Sequence, residues 1–75
     1  MTLTYRTTLT LTVSDDEFSD YDMHVTYLYD TPTRKPFVIY VEVDGNQYST
    51  GFLMDAVSRD ERLQRELIEN AERSS

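Results

Sequence analysis

Apolar and polar side chains alternate from Leu3 to Val13, with Leu3, Tyr5, Leu9, Leu11 and Val13 on odd positions and threonines, Arg6 and Ser14 on even ones. A period of two is the mark of a strand with one buried face, which predicts a strand over about 3–13. Branched threonine suits the other face, because it packs on a pleated surface while its hydroxyl stays hydrated. Residues 15–21 (DDEFSDY) interrupt the alternation with turn formers and read as a loop. Alternation resumes over 23–29, with Met23, Val25, Tyr27 and Tyr29 against His24, Thr26 and Leu28. Antiparallel pairing across that loop would set Val13 near Met23 and Leu9 near Tyr27.

Residues 30–36 (DTPTRKP) carry two prolines, which cannot donate to a ladder, so a second exposed connection is expected there. Phe37 to Val43 (FVIYVEV) is the strongest strand signal. Uninterrupted alternation places Phe37, Ile39, Val41 and Val43 on one face and Val38, Tyr40 and Glu42 on the other. Asp44-Gly45 or Gly45-Asn46 then provides a two-residue hairpin turn, with a return strand over about 47–52 that keeps Tyr48 and Phe52 on the face of Ile39 and Val41. Ser58-Arg59-Asp60-Glu61 has the form of a capping box, and Leu63, Leu67 and Ala71, with Ile68 beside them, make a slim apolar stripe at helical spacing. A helix over about 58–72 follows, with 53–57 either its first turn or a separate one. The expected fold class is α+β: a four-stranded antiparallel sheet of two hairpins with one C-terminal helix on one face, in the order ββββα. One helix covers one face, and the other would expose His24, Leu28, Val38 and Tyr40.

At 75 residues the chain forms one small domain, spanning 1–75, with little room for a deep substrate pocket. Fourteen acidic residues against seven basic ones give a net charge of −7, which disfavours direct contact with nucleic acid or an anionic membrane. The absence of cysteine removes disulfides and thiolate metal cages and favours an intracellular setting. No apolar run is long enough to span a bilayer, and Met1-Thr2-Leu3-Thr4 does not resemble a signal peptide, so a cytoplasmic location is expected.

Candidate chemistry is sparse. His24 and Asp22 share a strand face and could form a base with its orienting carboxylate, but no nucleophile accompanies them, so no catalytic residue is assigned and an enzyme is not expected. Asp15, Asp16, Glu17, Asp20 and Asp22 invite a calcium reading, yet the glycine turn and distal glutamate of an EF-hand are missing. No metal or cofactor is expected.

What remains is recognition. The acids just named, with Asp30, form a stretch without a base. Phe18 and Tyr21 lie inside it, and Tyr40 falls on the uncovered face. Rings among carboxylates suit a basic protein groove better than a phosphate backbone. The partner-binding set is therefore Asp15, Asp16, Glu17, Phe18, Asp20, Tyr21, Asp22 and Tyr40, and the expected partner is a protein with a basic surface. In size, acidity and preference for arginine over lysine the chain is similar to small phage-encoded inhibitors of host defence, anti-CRISPR proteins among them. That resemblance implies a non-enzymatic module that occupies a nucleic-acid channel as a DNA mimic, in the host cytoplasm. The alternative is a structural or accessory homodimer formed through the open sheet face or an edge strand.

Overall fold

A computed structural model describes residues 2–14 and 16–74. Four strands, β1 (Thr2–Ser14), β2 (Glu17–Asp30), β3 (Lys35–Val43) and β4 (Asn46–Tyr48), are followed by two helices, α1 (Phe52–Arg59) and α2 (Glu61–Ser74). The sheet is an antiparallel meander in the order β1-β2-β3-β4, and the helices lie on one side of it.

The odd-numbered face of β1 and β2 forms the core, as the alternation predicts. Leu9, Met23, Val25 and Tyr27 are buried against Val41 and Val43 from the sheet and Leu53, Val57, Leu63, Leu67 and Ala71 from the helices. Tyr27 is the largest of the fully buried side chains. Its hydroxyl donates to the Leu67 carbonyl at 2.7 Å and accepts from Asn70 Nδ2 at 2.9 Å, so the one polar atom of this core ring is satisfied. Burial raises the phenol pKa above its usual value, with Tyr5 and Tyr29 adding smaller repulsion and the Asn70 bond opposing the shift.

From Glu17 onward the expected 15–21 loop is instead the outer end of β2, with Asp16 in the turn before it and Asp15 outside the described residues. The pairing moves accordingly: Leu9 faces Tyr21 rather than Tyr27, Tyr5 faces Val25 and Leu3 faces Tyr27, with an irregularity between Thr12 and Ser14. This displacement is even, so no side chain changes face. The 30–36 connection also contracts, to a turn at 31–34 in which Thr33 bonds to the Asp30 carboxylate, and Pro36 lies within β3 opposite Tyr29. A proline is tolerated there because β4 pairs only with Val41, Glu42 and Val43, leaving the outer side of β3 open at Pro36.

A bulge alters β3. Thr26 pairs with Tyr40 but Tyr27 pairs with Val38, so Ile39 has no opposite residue. The extra residue reverses the parity of the strand before it. Val38 joins the core with Val41 and Val43, Phe37 pairs with Leu28 on the far face, and Ile39 stays 42% exposed, contrary to continuous alternation.

The second hairpin turns at Asp44-Gly45, whose φ values of 53° and 79° are the paired positive angles a primed turn requires. The return strand ends at Tyr48 instead of reaching 52, and Phe52 opens α1 with most of its surface exposed. Helical structure starts at Phe52 but divides at Asp60. Asp60 is extended and its N–H closes α1 on the Ala56 carbonyl, while its carboxylate accepts from the Leu63 N–H at 2.9 Å to cap α2. The cap is thus Asp60, and Ser58 lies inside α1, because the aspartate reaches the third N–H of the next helix. Arg34 in the β2–β3 turn pairs with Glu72 at 2.5 Å, tying that turn to the end of α2, and the ion pair raises the Arg34 pKa.

Candidate acidic recognition site

β3 pairs with β2 only from His24 to Asp30, so the first half of β2 and the matching half of β1 continue as a two-stranded arm. The molecule is correspondingly long, 41 × 23 × 18 Å. An isolated two-stranded ribbon is marginally stable. This one is braced beneath: Tyr21 packs edge-on against Phe52 of α1, with centroids 6.4 Å apart and planes at 69°, beside the buried Leu9. Leu11, Tyr21, Phe52 and Ala56 line an open cleft at that junction, with Asp55 and Arg59 on its rim.

Pairing partners on the arm's upper face explain why an acid-rich stretch forms a strand. Thr8 faces Asp22 and Thr10 faces Asp20. The Thr8 hydroxyl donates to Asp22 Oδ1 at 2.7 Å and the Thr10 hydroxyl to Asp20 Oδ1 at 2.6 Å. Hydrogen bonds to an ionised acceptor are short and strong, and they offset the low strand preference of aspartate. Thr12 continues the series opposite Phe18, whose ring is 68% exposed. Phe18, Asp20 and Asp22 therefore stand in one row at steps of about 6.8 Å.

The expected site residues separate as follows. Phe18, Asp20 and Asp22 are together on the upper face of the arm, and Asp16 and Glu17 are exposed at its tip. Asp15 lies outside the described residues. Tyr21, expected in the partner-binding set, faces the helix side instead and is half-buried against Phe52. Tyr40 is on the upper face but half-buried opposite Thr26, and a row formed by Arg6, His24 and Glu42 intervenes between it and Asp22. Within that row the His24 imidazole is 3.9 Å from Glu42, across β2 and β3, so the histidine's neighbour is this glutamate rather than Asp22 alone. The uncovered face beyond Tyr40 displays Leu28 and Phe37, the latter in place of the expected Val38.

Thr8 and Thr10 were not legible as site residues, because their role depends on which acids the register places opposite them. Among the described residues no group of three or more His, Cys, Asp or Glu is arranged to hold a metal ion, and no helix is long and apolar enough to cross a membrane. No protein-family model, curated protein or solved structure matches the chain.

Proposed function

We propose that the chain is a small non-enzymatic protein-binding module whose acidic arm docks on a basic surface of a nucleic-acid-binding protein, with carboxylates taking the place of phosphates. One observation carries this reading: Asp20 and Asp22 are fixed by threonine hydroxyls in the same row as an exposed phenylalanine. Carboxylates already oriented lose less freedom on binding than those of a flexible loop, and the ring supplies the apolar anchor that charge alone lacks. Asp16 and Glu17 extend the negative surface to the tip. Like the phage-encoded inhibitors it is similar to, such a module acts by occupancy and needs no cofactor.

The test is capture of purified DNA- and RNA-binding proteins by the immobilised chain, with and without competing duplex DNA. Expected is a complex that weakens with salt, is displaced by the duplex, and is lost when Asp15, Asp16, Glu17 and Asp20 are changed to lysine. A captured set unchanged by those four reversals overturns the proposal.

A further inference from the structure

The sheet's edges are treated unequally. β4 is only three residues long, the open stretch of β3 carries Lys35, Pro36 and the Ile39 bulge, and the overhanging side of β2 carries Glu17, Asp20 and Asp22. Short length, lysine, proline, bulges and charge are the devices that stop an edge from pairing with another chain. β1 uses almost none of them. It is an edge strand of 13 residues with neither proline nor lysine, and its one irregularity is at the Thr12–Ser14 end.

We infer that β1 pairs antiparallel with β1 of a second copy of this chain, about a twofold axis at Thr7, to form a continuous eight-stranded sheet. This inference does not depend on the proposed role of the acidic arm. The sequence of β1 selects both the partner and the register. With Thr7 opposite Thr7 of the other copy, Tyr5 faces Leu9 and Leu3 faces Leu11 on the helix side, so apolar side chains meet apolar ones across the junction. On the upper face Thr4 meets Thr10 and Arg6 meets Thr8.

Charge complementarity completes the match. Thr8 holds the Asp22 carboxylate toward the β1 edge at 2.7 Å, and Arg6 of the second copy arrives on the same row two strand spacings, roughly 9.6 Å, from Asp22. That span lies within the joint reach of an arginine and an aspartate leaning toward each other. The twofold makes the contact twice. β1 thus has a cation where the neighbouring copy has an anion, which fits a second copy of this chain better than an unrelated strand.

Because the chain has no cysteine, single introduced cysteines report the register directly. Directly opposed residues have Cα atoms about 4.5–5.5 Å apart, inside the range a disulfide spans. Thr7→Cys is expected to oxidise to a covalent dimer. Thr4→Cys and Thr10→Cys, each alone, should resist this because the like cysteines would be about 20 Å apart, yet crosslink when the two variants are mixed. In sedimentation equilibrium the unmodified chain should be dimeric and Arg6→Glu should weaken the dimer at least tenfold, with unchanged circular dichroism showing that the variant is folded. A monomer at ~100 µM overturns the inference. So does a dimer in which Thr7→Cys crosslinks no faster than Thr4→Cys alone, since the contact then lies elsewhere.

Discussion

The Tyr27 hydroxyl donates to the Leu67 carbonyl across the core, 2.7 Å away, and joins the central strand to the middle of α2. Tyr27→Phe preserves the ring but removes the second donor to that helical carbonyl and leaves the Asn70 amide without this acceptor. The expected loss is about 1–2 kcal/mol, read as a lower urea midpoint with an unchanged slope.

The same residue makes stability fall in alkali. Burial raises the Tyr27 pKa above the usual 10.0, so the folded state holds its proton more tightly than the unfolded chain does. The resulting stabilisation is fully present below the unfolded pKa and is lost as pH rises from there through the folded value. Denaturation midpoints of the unmodified chain should therefore decline above about pH 10, and the decline should be shallower in Tyr27→Phe. Equal slopes in both proteins would show that other groups govern the alkaline limb.

The bulge separates two residues that simple alternation groups together. Ile39→Thr should change stability by no more than about 0.5 kcal/mol, whereas Val41→Ala, which empties a fully buried position, should cost about 1–3 kcal/mol. Comparable losses in thermal or urea unfolding would mean that Ile39 is packed in the core.

At the division between the helices, Asp60→Ala should cost about 1 kcal/mol by releasing the Leu63 N–H, while Ser58→Ala should be close to neutral. A larger loss at Ser58 in the same assay would restore the capping-box reading.

Much of this architecture is written in two-residue periodicity. Leu3, Tyr5, Leu9, Met23, Val25 and Tyr27 share the face their parity assigns, even though the β1–β2 pairing is displaced, because an even slip preserves every face. Asp44-Gly45 and the Leu63–Leu67–Ala71 stripe were equally legible, since turn chemistry and helical spacing are local. What escaped was non-local. Asp20 and Asp22 look like turn residues until Thr10 and Thr8 stand opposite them. The bulge at Ile39 leaves no mark in a run of β-branched and aromatic residues. Of the candidate site, the clustering of Asp16, Glu17, Phe18, Asp20 and Asp22 along the chain was legible from composition, but the sorting of Tyr21 to the helix side and of Tyr40 beyond the Arg6 row required the register.

The overhang of β1 and β2 beyond β3 divides the protein into zones of unequal opening. Amide protons near Phe18 should exchange with solvent at rates set by local fraying, while those around Val25 and Tyr27 wait for rarer, larger openings. The tip of the arm can thus open at Glu17 and Phe18, beyond the Tyr21–Phe52 contact, without melting the layer beneath α2.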